Sequence, residues 1–369
     1  MSATAKRRIY ELDLLRGFFI CVIILDHLQF WPSPLQYFTG QGRLWVSAAE
    51  GFFLISGLLI GYLRAYKGAS TPLKTLSQGL WKRAFTLYLW CVIITLVVTA
   101  LAIALPHSPL MPKSPSTEDT SALLTYLFHT LTMNHASDWI YFLRLYAIML
   151  AVTPLFLYLI RRGLWLVAAL ISLSAYAASV MMNTGEIALQ WQILFFGAAL
   201  IGWKLETLLG WLRARPRVRL SVIVSLIGIT LSTMVLSYFM VHGWSYVESP
   251  DARLSRESYV SIRSNVDPLF SNTPLAPLRI LLAFIWFGGL LALFHVIRPW
   301  LLRFGGWLLL PFGQGSLTAY CLQAIVLSFA VTLIPLTESY WLNGLVGVLV
   351  ILFIAGLMRL KIVQKVLPR

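Results

Sequence analysis

Acidic residues are scarce in this chain: 14 Asp and Glu among 369 positions, against 29 Lys and Arg. Charged residues of both signs make up only 12% of the sequence while 59% is hydrophobic, and the mean hydropathy is +0.78. Soluble globular chains carry about 25% charge, so this composition excludes that class and leaves a polytopic membrane protein. Cysteine is nearly missing, and Cys21, Cys91 and Cys321 fall inside apolar stretches without paired spacing. Neither a disulfide framework nor a metal site is implied. No small-residue cleavage site follows the first apolar segment, which therefore reads as a retained helix and not a removed signal peptide. Internal repeats, inverted repeats and paired Gly/Pro-broken spans, the marks of many transporters, are also lacking. A net charge of +15 would suit nucleic acid, but the basic residues are spread over short loops, which membrane topology explains and a nucleic-acid partner does not.

Ten apolar stretches are long enough to span a bilayer, at about 14–31, 46–66, 81–105, 139–160, 164–182, 188–208, 219–241, 275–297, 314–336 and 340–358. The expected fold class is an all-α polytopic membrane protein of about ten transmembrane helices, one domain over residues 1–369. Of the basic residues, 21 fall in loops on the side of the N-terminus and six on the other, with Arg16 and Arg144 inside spans. Both termini are then cytoplasmic, with Lys6, Arg7, Arg8 and Arg369 on that side. The long loops, about 106–138 and 242–274, are expected on the outer side. In the first, a Pro/Ser/Thr-rich tract precedes SALLTYLFHTLTM, too short to span and expected to lie as an interfacial helix. The second is polar and mixed in charge, either a solvated connection or a lid over an acceptor.

Ionisable side chains inside spans are functional candidates because each is costly in hydrocarbon. The first span, within ELDLLRGFFICVIILDHLQF (11–30), places Arg16 and His27 eleven positions apart. That is three turns plus about 20°, so the two share one face and lie roughly 16 Å apart along the axis. Asp26 and His27 stand near the outer end, as functional groups or as headgroup anchors. The second span, VSAAEGFFLISGLLIGYLRAYK, puts Glu50, Gly57, Gly61 and Arg64 within about 40° of one line. Gly57 and Gly61 admit a neighbouring helix closely. With the first span as that neighbour, the two helices would build a polarised slot, acid and base outside, cations inside.

These segments resemble the membrane acyltransferase superfamily, in which an Arg-x10-His on the first span precedes Phe-Phe-x-x-Ser-Gly on the second. Here those are Arg16 and His27, then Phe52 to Gly57. Within it the chain is similar to the OpgC group, which succinylates osmoregulated periplasmic glucans and carries similar Arg-Gly…Asp-His and Ala-Ala-Glu-x-Phe…Ile-Ser-Gly runs. WQILFFGAALIGW (191–203) and APLRILLAF (276–284) extend the likeness over most of the chain. The resemblance implies a multi-pass protein of the bacterial inner membrane, with His27 catalytic and Arg16 contacting the acyl donor. It places Ser56 and Gly57 in a functional Ser-Gly motif, Arg83 among the donor-binding cations, and Trp191 and Gln192 at the substrate. In the fourth span FLRLY, with Arg144, departs from the group's Leu-Pro-Leu-Tyr-like run, which leaves succinyl and acetyl both open as the acyl group.

The implied chemistry fits the charge layout. Acyl-CoA is made in the cytoplasm, so its phosphates would stay at a basic mouth formed by Arg16, Arg64, Lys82 and Arg83. Its thin arm would thread outward and present the thioester to His27. His27 would act as general base on a glycan hydroxyl, with Glu50 or Asp26 holding the imidazole tautomer, or would carry the acyl group itself. Ser56, mid-span and without a nearby base in sequence, has helix packing as its plainer role. A dicarboxylic acyl group would need a cation for its free carboxylate, and Arg144 and Arg279 are the two placed for that. His107, His129, His135, His242 and His295 lack ligand spacing and read as structural. The alternative from another class is a transporter or flippase of an acylated glycan or lipid, with Glu50 and Asp26 as proton sites. The sequence sets no oligomeric state.

Overall fold

Runs rich in Leu, Ile and Phe with few breakers fold as helices at every expected span, and a computed structural model describes residues 9–368. Lys6, Arg7, Arg8 and Arg369 lie outside the described residues. Helices of seven residues or more run, in chain order, α1 (Tyr10–Leu28), α2 (Ala48–Ile60), α3 (Leu73–Ala104), α4 (Thr120–Leu131), α5 (Tyr141–Arg161), α6 (Trp165–Met181), α7 (Ile187–Trp203), α8 (Leu205–Arg213), α9 (Pro216–His242), α10 (Arg256–Val266), α11 (Pro277–Val296), α12 (Arg298–Phe304), α13 (Gly306–Gln314), α14 (Ser316–Leu333) and α15 (Tyr340–Leu357). Among the described residues there is no strand.

Among the described residues seven helices are long and apolar enough to cross a membrane: α2 with its π-helical extension Gly61–Tyr66, then α3, α5, α9, α11, α14 and α15. The other three expected spans take different forms. α1 contains Glu11, Asp13, Arg16 and Asp26, α6 has only 17 residues, and the segment expected at 188–208 is broken, with α7 and α8 meeting at 55°.

α1 stands at the centre. Its ionisable side chains are costly against lipid and favour the interior of the bundle, and α1 packs against α2, α11, α13, α14 and α15. Leu14, Leu15, Ile20 and Ile24 have no exposed surface. Its tightest seam is with α13, where a Cβ on Gly17 would fall 2.0 Å from the Leu309 carbonyl oxygen and one on Gly313 1.8 Å from that of Asp13. Only glycine lets the two backbones approach so closely. α12 and α13 fill 298–314, which the sequence reads as a plain loop; GWLLLPFGQ is too short to span, yet it buries its apolar side on α1. The N-terminal end of α1 is pinned by Glu11, which accepts from Arg298 Nη1 and His295 Nδ1, each at 3.0 Å.

Both long loops are built. α4 coincides with SALLTYLFHTLTM and is capped by Asp119, whose Oδ1 accepts from the Ser121 and Ala122 N–H groups at 2.8 and 3.2 Å, as N-cap aspartates do. The 242–274 loop is more than a solvated connection: α10 buries Tyr259 completely, and its hydroxyl donates to the Met240 carbonyl at 2.9 Å.

Candidate functional site

Arg16, Ser56 and Arg83, far apart in the chain, line one cavity of about 100 Å³ between α1, α2, α3, α5 and α14. Its walls are aromatic and aliphatic, with Phe52 and Phe53 from α2, Phe142 and Leu143 from α5 and Leu87 from α3. Arg83 is exposed and Arg16 half-buried, so the cationic end is the mouth. Ile23 lines the cavity seven residues above Arg16, and His27 follows one turn beyond Ile23. All three fall within about 40° on α1, so the cavity runs along the helix toward His27.

At the C-terminal end of α1 the imidazole meets an amide. His27 Nδ1 lies 3.3 Å from Oε1 and 3.0 Å from Nε2 of Gln323 on α14, and Gln323 Nε2 donates to the Trp139 backbone carbonyl at 2.9 Å. Neither carboxylate considered from the sequence takes this place. Glu50, fully buried, accepts from Arg279 Nε on α11 and, in a capping box, from the Ser47 backbone N–H at 3.0 Å. Asp26 turns into a separate cavity of about 50 Å³ between α1, α2, α9 and α11, bordered by Phe19, Met234, Tyr238 and Trp286. There it lies beside Thr39 and Gly42, and its Oδ1 has no hydrogen-bond partner among the described residues.

The glycine stripe of α2 also faces elsewhere. A Cβ on Gly57 would fall 2.0 Å from the Phe195 carbonyl oxygen and one on Gly61 1.9 Å from that of Ala199, both on α7. The close neighbour is therefore α7 and not α1. The polarised slot expected between the first two spans does not form, because Ser56, about a third of a turn away from the glycines, is what α2 offers to the cavity. Gly57 serves packing.

The remaining candidates divide. Arg64 and Lys82 are exposed and stand outside the cavity lining. Trp191 backs the wall, its ring 5.5 Å from Phe53 and 5.6 Å from Phe142, with its Nε1 lacking a hydrogen-bond partner among the described residues. Gln192 is spent on packing α6 to α7, accepting from the Ser172 hydroxyl at 2.6 Å and donating to the Ser172 carbonyl at 2.7 Å. Arg279 is committed to Glu50 and to the Phe270 carbonyl, 3.0 Å from its Nη1. Arg144 is buried but lies across α5 from the cavity-lining Phe142 and Tyr146, donating to the Tyr141 hydroxyl at 2.7 Å and approaching Glu186 at 3.5 Å.

Two residues at the site escape sequence reading. Gln323 has no exposed surface, and Tyr320, one turn below it, lines the cavity with its hydroxyl beside the Phe142 backbone N–H and without an acceptor for its own proton among the described residues. The signal was a Gln and a Tyr on one face of YCLQAIV; nothing local ties them to a histidine almost three hundred positions earlier.

No curated protein and no solved structure matches the chain. The family model described as OpgC protein matches residues 8–363, nearly its whole length. Membership points to a membrane acyltransferase acting on glucans, and the cavity lined by Arg16 and Arg83 and the His27–Gln323 pair all sit within the matched region: the chain belongs to the OpgC family.

Proposed function

We propose that the protein is an acyl-CoA-dependent O-acyltransferase that takes a succinyl or acetyl group from the cytoplasmic side of the bacterial inner membrane and places it on a periplasmic glycan hydroxyl. The observation that carries this reading is the convergence of two guanidiniums, Arg16 and Arg83, in one largely apolar cavity whose lining reaches Ile23, one turn short of His27. Two like charges held together in a low-dielectric setting favour an anionic occupant, and guanidinium forks suit phosphate oxygens. An aromatic-walled passage suits the thin, mostly uncharged arm that links those phosphates to a thioester. Counting α1, α6 and the bent α7–α8 pair as spans gives ten, and with the N-terminus on the cytoplasmic side, as the bias of basic residues favours, Arg83 would be cytoplasmic and His27 near the outer face.

In the reaction His27 removes the proton of the acceptor hydroxyl while its oxygen attacks the thioester carbonyl. The carbon–sulfur bond then breaks, the new ester oxygen bond remains, and the proton passes from the imidazole to the departing CoA thiolate. The test is thioester cleavage by the purified protein in detergent, with succinyl-CoA and acetyl-CoA and a glucan acceptor. Turnover that requires His27 supports the reading. Absence of turnover with every acyl-CoA, in protein shown to be folded, overturns it.

A further inference from the structure

We infer that Gln323 is the positioning residue of His27, doing with a neutral amide what a carboxylate does in most base–orienter pairs. The inference deepens the acyltransferase reading and rests on it. An amide without exposed surface has to satisfy its oxygen and its nitrogen inside the protein, and Gln323 is such a group. Its orientation is set from the far side, because the backbone carbonyl of Trp139 only accepts. The 2.9 Å contact therefore belongs to Gln323 Nε2. Reversing the amide would set oxygen against oxygen.

With Nε2 committed to Trp139, Gln323 Oε1 is the acceptor left for His27 Nδ1, at 3.3 Å. Accepting the Nδ1–H leaves Nε2 of His27 with its lone pair, the form needed both for proton abstraction and for carrying an acyl group. The opposite tautomer, with the second Gln323 N–H donating to Nδ1 at 3.0 Å, would put the proton on Nε2 and leave Oε1 buried without a donor. It would also make His27 unable to act as base. The charged groups nearby do not compete for the ring: Asp26 is turned into its own cavity, and Glu50 is bound to Arg279. The chain thus reads as a relay in which Trp139 fixes Gln323 and Gln323 fixes His27. A neutral partner has a further consequence. It adds no negative charge to hold the imidazolium, so the ring gives up a captured proton to the thiolate readily.

The tautomer can be read directly, without substrate, by nitrogen-15 NMR of histidine-labelled protein, with the His27 signal identified by its loss in His27→Ala. The expected result is Nδ1–H in the wild type and a shift toward Nε2–H in Gln323→Met, a variant of similar volume. In turnover Gln323→Met should lose kcat by roughly 10- to 100-fold with KM for acyl-CoA unchanged. Gln323→Glu, protonated so that it donates to the Trp139 carbonyl and accepts with its other oxygen, should keep the Nδ1–H form. A wild-type His27 found as Nε2–H, or a Gln323→Met protein with unaltered tautomer and kcat, overturns the inference. Failure of the wild type to cleave any acyl-CoA would instead strike the acyltransferase reading, since the tautomer is measured independently of it.

Discussion

Glu50 and Arg279 form a buried ion pair between α2 and α11, the carboxylate with no exposed surface and the guanidinium with 6%. Removing one member of such a pair leaves the other charge stranded, at a cost of about 3–5 kcal/mol. Glu50→Gln and Arg279→Met should each lower the melting temperature in detergent markedly, and the double variant should recover most of the loss. Residual activity of Arg279→Met should fall equally with succinyl-CoA and acetyl-CoA. Full stability of both single variants would contradict this structural role.

His27→Ala is expected to abolish transfer while leaving the fold intact, since the ring is half-buried and bonded only at one edge to Gln323. The check is thioester cleavage beside a thermal melt. Unchanged turnover in a folded His27→Ala protein ends the mechanism.

Arg16→Ala and Arg83→Ala should weaken CoA binding about tenfold or more each, the range of a lost charge-assisted hydrogen bond. Lysine at either position should restore binding only in part, because an ammonium lacks the planar fork. Arg64→Ala and Lys82→Ala, outside the cavity lining, should bind CoA as the wild type does. Calorimetry with CoA separates the two groups, and equal affinity for all four variants would remove the cavity as the donor site.

Gly57→Ala and Ser56→Ala discriminate the two halves of the Ser-Gly motif. A methyl on Gly57 meets the α7 backbone at 2.0 Å, so the helices must part, a strain of about 1–3 kcal/mol seen as a lower melting temperature. Ser56→Ala should leave stability nearly unchanged and alter CoA affinity or turnover, since Ser56 lines the cavity. The reverse pattern would exchange the roles.

Arg144→Met tests the choice of acyl group. With its guanidinium on the far side of α5 from the cavity, bonded to Tyr141, it should change the rates with succinyl-CoA and acetyl-CoA by the same factor. A loss confined to succinyl-CoA would show that the acyl carboxylate reaches Arg144 after all.

The sequence by itself determined what depends on local periodicity and composition. Apolar runs of fixed length give the helices near their expected positions, and 100° per residue puts Arg16, Ile23 and His27 on one face whatever surrounds them. The family was legible for the same reason, because its motifs are short and contiguous on α1 and α2. Which helix meets each face is not local. Gly57 announces a close neighbour in any sequence, but only assembly shows that α7 fills it. Asp26 and Glu50 are the two carboxylates the sequence offers as partners for His27 near the same end of its helix, yet the fold turns one into a separate cavity and the other to Arg279. Gln323 arrives from α14 because α1, with ionisable side chains that lipid would not tolerate, is enclosed by other helices. Side-chain partnership across a bundle is decided by which helices pack together, and the bilayer's uniformly apolar spans carry little sequence information about that choice.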